Sequence, residues 1–389
     1  CRQEGGAAFM AEAYGKVTGR PGICFVTRGP GACNASIAVH TAMQDSTPMM
    51  LLVGQVARKL LGREAFQEID YGRMFAPPMA KMAVQIDDPY RIPEIIHNAL
   101  TTAISGRPGP VVVALPEDML VEECTVVDGK PVQAVQPHAA LEQLTEVLEA
   151  LAKAARPMMI LGGGGWDPEA CANIAKFASD NCLPTAVSFR RQDLFDNQND
   201  FYIGDLSSGV DPALVQRVKD SDFLLVVGAR LGEMTTKGYT TIMPPVPKQR
   251  LVHVYADAHE LGKVFQPDIA ILSGMSSFAQ QVSELDPVDG NIWVTWAKAA
   301  RKDYLKTQDP DDLGGELDLA FVVKHLQEAL AQDTIVTVDA GNFSGWVHRF
   351  WRFRKSRTEL GPTAGAMGYG VPAGVAAQIA CPDQSVGSF

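Results

Sequence analysis

Short, wholly apolar segments that run into glycine-rich turns limit the fold of this chain more than any other feature. Phe223–Val227 runs into Gly228, and Pro157–Leu161 runs into a stretch of consecutive glycines. Continuous apolar strands are typical of parallel sheets that are buried on both faces. The spacers between these segments have helical length and periodicity, which favours α/β domains. The sequence therefore predicts an α/β protein built on parallel sheets.

The 389 residues fall into three blocks of different composition, which predicts three parallel-sheet α/β domains. We expect a first domain at 1–125, a central Rossmann-like domain at 138–285 and a third domain at 290–389. The segment 126–137 mixes proline, valine and glutamine without helical periodicity. It is therefore predicted to be a linker.

The charge and cysteine content exclude several classes of protein. With 34 basic and 45 acidic residues the net charge is −11, which argues against nucleic acid or an anionic membrane as a partner. No apolar run is long enough to span a bilayer, and no signal-peptide pattern is present. The seven cysteines form no C-x-x-C or Cys/His cluster, so we expect reduced thiols and a cytoplasmic location.

An acidic residue and a Gly/Pro-rich turn stand near the start of the chain. Glu4 opens a predicted helix, and residues 27–34 (TRGPGACN) follow the next apolar strand. Taken singly, Glu4 is a carboxylate that stabilises a helix N-terminus, and the glycines of 27–34 allow a strand-to-helix turn. Taken together, they lie where the carboxyl ends of parallel strands meet helix N-termini. That arrangement suits a cofactor pocket.

Three further motifs follow predicted strands or turns. They are 66–67 (FQ), 341–343 (GNF) and 365–372 (GAMGYGVP). With the opening 2–7 (RQEGGA) and 27–34, these motifs make the chain resemble the thiamine diphosphate-dependent enzymes, in particular the acetolactate synthase-like branch. One departure is Gln3, which stands where the family usually has histidine.

The resemblance implies a role for each motif. Glu4 would drive tautomerism of the cofactor's aminopyrimidine ring, and a water-poor pocket would raise the pKa of its carboxyl group. Phe66 and Gln67 would face the substrate and complete the catalytic set. The residues implied to hold the cofactor are Pro30, Asn34, Gly341, Asn342, Phe343, Gly365 and Met367.

The family's chemistry gives the expected activity. The resemblance implies decarboxylation of a 2-keto acid and transfer of the remaining fragment to an aldehyde or ketone. It also implies Mg²⁺, whose G-D-G ligand motif does not occur in this sequence. We therefore expect the chain to be an internal portion of a longer enzyme, with the metal ligands outside it. A homodimer or homotetramer is expected, with the active site at the subunit interface.

Several alternatives stay open at this point. Relatives bind FAD, ADP or nothing in the central domain. Residues 228–234 (GARLGEM) and 253–257 (HVYAD) depart from the flavin-binding pattern, so FAD is possible but disfavoured. A benzaldehyde lyase-like or oxalyl-CoA decarboxylase-like activity is one alternative function. A catalytically inactive relative that acts as a binding protein is another.

The segment 349–357 (RFWRFRKSR) combines five basic residues with aromatic ones. Stacking on nucleic acid would use such a pattern. Nucleic-acid binders, however, usually carry broad basic surfaces. Since the whole chain is acidic, we expect a solvated face or an interface here.

Overall fold

The computed structural model describes residues 1–309 and 316–389, which form two compact units. The first unit comprises Cys1–Val135, Thr337–Ala340 and Leu360–Ser388, and the second comprises Gln136–Val336, Gly341–Glu359 and Phe389.

The N-terminal part of the first unit alternates helices and strands. In chain order these are α1 (Glu4–Thr18), β1 (Gly22–Val26), α2 (Pro30–Asp45), β2 (Met49–Gln55), α3 (Tyr71–Met74), β3 (Met82–Gln85), α4 (Ile92–Ile104) and β4 (Pro110–Pro116). The strands form a sheet in the order β1-β2-β4-β3, and each neighbouring pair is parallel. The strand predicted before the 27–34 turn is confirmed as β1.

The second unit begins with α5 (Leu141–Ala152), β5 (Pro157–Leu161), α6 (Pro168–Asp180), β6 (Thr185–Ser188), β7 (Tyr202–Leu206), α7 (Pro212–Asp220), β8 (Phe223–Val227), β9 (Arg250–Tyr255), β10 (Ile269–Leu272), α8 (Met275–Ser283) and α9 (Val294–Thr307). The chain then forms α10 (Leu319–Ala329), β11 (Ile335–Thr337), α11 (Ser344–Phe350), β12 (Glu359–Leu360), α12 (Gly370–Ala380) and β13 (Val386–Ser388).

The central sheet has the order β10-β9-β8-β5-β6-β7, with parallel neighbours throughout. Every side chain of β5 and β8 is buried, in agreement with their apolar sequences. The strand order reverses between these two strands, so their carboxyl ends mark the switch point of the sheet. The strands β6 and β7 were not predicted, because they are short and carry few consecutive apolar residues. The strand β10 was not predicted either; it is apolar throughout but only four residues long.

Helix α6, which packs against the central sheet, shows how the local sequence determines where a helix begins and which of its faces is buried. The carboxylate of Asp167 caps the helix by accepting a hydrogen bond from the Ala170 amide, and proline occupies the first turn. Ile174, Phe177 and Ala178 are buried and recur at helical spacing. This apolar face packs in the core cluster that includes Trp293.

A third sheet has the order β12-β11-β13, and the chain is an α/β protein with three parallel sheets, as predicted. The boundaries 1–125, 138–285 and 290–389 stay a prediction. No helix within residues 1–309 and 316–389 has both the length and the apolar character needed to cross a membrane.

Candidate functional site

Glu4 lies beside Asn34 in the first unit, thirty positions further along the chain. Glu4 is the first residue of α1, where the side chain of Gln3 caps the helix by accepting a hydrogen bond from Gly6 N. The Nδ2 group of Asn34 donates a hydrogen bond of 3.0 Å to Oε2 of Glu4. Two residues that the sequence singled out separately therefore form one polar pair.

The charge state of Glu4 differs from the prediction. The hydrogen bond from Asn34, followed by one from the backbone at Glu4, lowers the pKa of the Glu4 carboxyl group below its ordinary 4.5. The expected water-poor pocket, which would have raised that pKa, is not formed by the described residues of this chain. Glu4 is consequently ionised at neutral pH and acts as a hydrogen-bond acceptor.

The turn that follows β1 contacts the predicted substrate residue Gln67. Gly29 has φ of 61°, and a Cβ atom there would lie 2.7 Å from Cβ of Gln67. Only glycine accommodates both the left-handed backbone and this close approach. Gly29 N also donates a hydrogen bond of 2.8 Å to the Tyr71 hydroxyl. Pro30 begins α2 directly after this turn.

The segment that carries Phe66 and Gln67 is a loop held by Glu68. The Glu68 carboxylate accepts hydrogen bonds from the amides of Gly62 at 2.6 Å and Ala65 at 2.9 Å. These two bonds lower the pKa of Glu68. Phe66 is 79% exposed, so its ring forms a surface of the loop rather than part of the core. Glu68 was not predicted as a functional residue. A carboxylate that binds the amides of the loop preceding it has no recognisable sequence motif.

The GAMGYGVP segment presents Met367 at the surface of the same unit. Met367 is 79% exposed, and no atom lies within 4 Å of a Cβ placed on Gly365 or Gly368. The Asp339 carboxylate holds this turn by accepting hydrogen bonds from Gly368 N at 3.0 Å and Gly370 N at 3.1 Å. Asp339 was not predicted as a site residue, although an acid directly after a strand was a usable signal.

Gly341, Asn342 and Phe343 belong to the second unit. All three are exposed just before α11, and the Phe343 ring folds back over Gly341. These residues form a strand-to-helix turn with accessible backbone.

The glycine turns at the switch point of the central sheet are packed against each other. A Cβ on Gly163 would lie 2.1 Å from the Gly228 carbonyl oxygen, and one on Gly228 would lie 2.7 Å from Sδ of Met275. The Trp166 indole is buried there and donates a hydrogen bond of 2.8 Å to Gly162 O. These contacts pack the two glycine turns directly against each other.

The basic aromatic segment 349–357 is partly structural. Trp351 and Phe353 are buried, so their rings do not form a stacking surface for bases. Arg349 and Lys355 are exposed. That the chain does not bind nucleic acid stays a prediction.

Comparison with protein-family models matches all three predicted regions of the chain. Residues 1–74 match the N-terminal TPP binding domain of the thiamine pyrophosphate enzymes, 144–282 match the central domain, and 339–389 match the C-terminal TPP binding domain. The chain belongs to the thiamine pyrophosphate enzyme family. Glu4, Pro30, Asn34, Phe66 and Gln67 all lie within the N-terminal match.

Curated relatives of the chain include acetolactate synthases. It is 30% identical to the acetolactate synthase large subunit of Corynebacterium glutamicum over 402 residues, which cover 99% of this chain and 62% of that protein. It is 29% identical to the isozyme 2 large subunit of Escherichia coli over 394 residues, covering 99% of this chain and 69% of that protein. It is 30% identical to the acetolactate synthase large subunit of Parasynechococcus marenigrum, and the aligned part covers 99% of this chain and 63% of that protein. The chain thus spans about three fifths to two thirds of these relatives.

The residues of the first unit fit part of a thiamine diphosphate site. The ionised Glu4 offers an acceptor that Asn34 holds in place. Met367, between two glycines with open space beside them, offers a deformable apolar contact. Among residues 1–309 and 316–389, no group of three or more histidine, cysteine, aspartate or glutamate side chains is arranged to hold a metal ion.

Proposed function

We propose that this protein is a thiamine diphosphate-dependent enzyme that decarboxylates a 2-keto acid and joins the remaining fragment to an aldehyde or ketone, as acetolactate synthases do. The contact between Glu4 and Asn34, in a region that matches the N-terminal TPP binding domain, carries the proposal. The similarity to acetolactate synthase large subunits over 99% of the chain supports it.

Glu4 is assigned the central role. Its ionised carboxylate would accept a hydrogen bond from the protonated pyrimidine nitrogen of the cofactor, which favours the reactive tautomer. Because Asn34 already donates a hydrogen bond to Oε2, the other carboxylate oxygen, Oε1, would accept the bond from the cofactor. When bound, thiamine diphosphate supplies the electron sink for cleavage of the bond to the carboxylate. Gln67 would orient the substrate by hydrogen bonding, and Phe66 would exclude water from it.

The other predicted cofactor residues complete the proposal. Pro30 would lie beside the pyrimidine, while Gly341, Asn342 and Phe343 would approach the diphosphate through their backbone. Gly365 and Met367 would support the cofactor from below, in a loop that Asp339 holds. We infer that Mg²⁺ accompanies the diphosphate through ligands outside this sequence. We also infer that the central domain carries no FAD, because residues 228–234 and 253–257 depart from the flavin-binding pattern.

A homo-oligomer, dimer or tetramer, is part of the proposal. Val371, Val375 and Ile379 recur every four residues along α12 and are 70%, 47% and 69% exposed. An apolar stripe of this kind supports an interface between subunits. The cytoplasmic location stays a prediction.

The test compares two glutamates that each occupy the first turn of a helix. The full-length protein is assayed as the wild type, as Glu4→Gln and as the control Glu169→Gln, since Glu169 is exposed in the first turn of α6. Calorimetry measures the binding of thiamine diphosphate with Mg²⁺, and carbon dioxide release from pyruvate measures turnover. We expect Glu4→Gln to lower turnover by about 100-fold or more while the cofactor still binds. Glu169→Gln should leave both quantities unchanged.

The products distinguish the alternative activities. Acetolactate forms only if a second pyruvate serves as the acceptor. Decarboxylation without acetolactate would support the lyase or decarboxylase alternative. Failure of the intact, folded protein to bind the cofactor would refute the enzyme proposal and favour an inactive relative with a binding role.

A further inference from the structure

Met367 lies in a loop that is held at several points along its backbone. The loop comprises residues 361–370 and is called the 361–370 loop below. The Asp339 carboxylate accepts hydrogen bonds from two glycine amides near the end of this loop. Further contacts come from α1 and α2. The helix that begins at Glu4 therefore also contacts the loop that carries Met367.

Glu12 of α1 and Tyr369 of the loop form a fully buried pair. Both residues are 0% exposed, and the Tyr369 hydroxyl donates a hydrogen bond of 2.6 Å to Oε2 of Glu12. The Phe9 ring packs edge-on against the Tyr369 ring, with 5.4 Å between the ring centroids. Lys16 Nζ lies 5.3 Å from the centroid of the same ring. Because Phe9, Glu12 and Lys16 recur at helical spacing, one face of α1 surrounds Tyr369.

The first residues of the loop are held by the same helix and by α2. Lys16 Nζ donates a hydrogen bond of 2.9 Å to Gly361 O. It also lies 2.5 Å from a carboxylate oxygen of Asp45, at the end of α2. Asp45 in turn accepts a hydrogen bond of 2.8 Å from Thr363 N. The 361–370 loop is thus bound to α1 near both of its ends, through Gly361 and through Tyr369.

Met367 lies between these two points of contact. It is 79% exposed, and the glycines on either side of it, Gly365 and Gly368, have positive φ and open space beside them. A side chain exposed to this extent is little restrained by its own packing. Its position therefore depends on how the backbone is held at each end of the loop.

Glu4 lies at the start of the helix that holds the loop. A Cβ atom placed on Gly6, in the first turn of α1, would lie 4.0 Å from Cγ of Pro372, which follows the loop. In the function proposed above, Glu4 and Met367 contact the same cofactor from different sides. Their separation then determines how the cofactor lies, and an error of about 1 Å in such an arrangement can cost about 100-fold in rate.

We propose that Glu12 is a positioning residue for the cofactor site. By accepting the hydrogen bond from Tyr369 it fixes the 361–370 loop to α1, and so sets the distance between Met367 and Glu4. Glu12 is fully buried and acts only through Tyr369. The inference rests on the proposed function, because this distance matters only if Glu4 and Met367 both contact thiamine diphosphate.

The Glu12–Tyr369 contact is tested first in the full-length protein without cofactor, by hydrogen exchange measured with mass spectrometry. Tyr369→Phe keeps the ring but removes the donor, and Glu12→Leu removes the acceptor. Each should raise the exchange rate of amides in the 361–370 loop about tenfold, as expected for the loss of one buried hydrogen bond. Glu12→Gln keeps an acceptor and should not raise the rate. Tyr14→Phe, which removes a hydroxyl from a half-buried tyrosine of the same helix, is the matched control.

The same variants are then titrated with thiamine diphosphate in the presence of Mg²⁺, and carbon dioxide release from pyruvate is measured. Tyr369→Phe and Glu12→Leu should weaken cofactor binding about tenfold. They should also lower kcat about tenfold or more, with a smaller change in KM for pyruvate. Glu12→Gln and Tyr14→Phe should behave like the wild type. Circular dichroism checks that each variant is folded at the assay temperature, so a role in stability alone would leave cofactor affinity and kcat unchanged.

Three results would contradict the proposal. They are wild-type exchange of the loop in a folded Tyr369→Phe variant, faster exchange without any change in cofactor affinity or kcat, and equal damage from Glu12→Gln and Glu12→Leu. Failure of the wild type to bind thiamine diphosphate would refute the proposed function itself. The exchange experiment needs no cofactor, so it decides in that case as well whether Glu12 holds the loop.

Discussion

The Glu12→Gln substitution should make helix α1 less sensitive to pH. Glu12 is fully buried in α1 and accepts a hydrogen bond of 2.6 Å from the Tyr369 hydroxyl. Lys16 Nζ lies 3.4 Å from the Glu12 carboxylate and 2.5 Å from that of Asp45. Burial raises the pKa of Glu12 from 4.5 to about 7, and the lysine charge opposes this rise.

The sign of the effect follows from where the proton binds. In the unfolded chain Glu12 loses its proton near pH 4.5, whereas in the folded protein it keeps the proton until about pH 7. The folded state therefore binds more protons in this window, and stability falls as the pH rises through it. A rise from 4.5 to about 7 corresponds to about 3 kcal/mol, at about 1.4 kcal/mol per pKa unit.

Glutamine keeps an acceptor for Tyr369 but cannot ionise. We expect the stability of Glu12→Gln, relative to the wild type, to increase by about 3 kcal/mol between about pH 4.5 and pH 8. Asp45 does not interfere in this range. Its pKa is lowered from 3.8, so the stability it contributes is lost only below that value.

Hydrogen exchange measured by mass spectrometry is the suitable assay. All five tryptophans lie in the second unit, so their fluorescence does not report on α1. The opening free energy of peptides from α1 is compared at several pH values, with peptides from α6 as an internal control. A difference between variant and wild type that stays constant from acid to neutral pH would refute the reasoning.

Two further predictions concern backbone turns. Glu68→Ala removes the acceptor that closes the loop before it, so trypsin should cleave after Arg63 faster than in the wild type; unchanged cleavage would contradict this role. Gly163→Ala places a Cβ atom 2.1 Å from the carbonyl oxygen of the facing turn, whereas Gly262, also at positive φ, has open space. Gly163→Ala should therefore cost at least about 2 kcal/mol more than Gly262→Ala in denaturation followed by tryptophan fluorescence, and equal costs would show that the turns can separate.

The local sequence was sufficient to predict those helices and strands that are determined by residues adjacent in the chain. The strands Pro157–Leu161 and Phe223–Val227 were predicted with the observed bounds, because continuous apolar runs are needed where both faces of a strand are buried. The strand before the 27–34 turn was predicted from a similar apolar run, although Ile23 and Phe25 on one of its faces are exposed. Helix Pro168–Asp180 also has local start signals, since a capping aspartate precedes it and a proline lies in its first turn. The short strands β6 and β7 were not predicted, because neighbouring strands of the sheet stabilise them and their own sequences show no strand pattern.

The candidate site, too, was predictable from the sequence only in part. The sequence determined the residue types that the family's chemistry requires, with Glu4, the Gly-Pro-Gly turn and Met367 in recognisable motifs. Only the tertiary structure decided their environment. Asn34 lowers the pKa of Glu4 instead of a dry pocket raising it, and the two glycine turns of the central sheet pack against each other. The hydrogen bond from Tyr369 to the buried Glu12 likewise depends on folding, because hydrogen bonding, burial and charge act between residues that only the folded chain brings together.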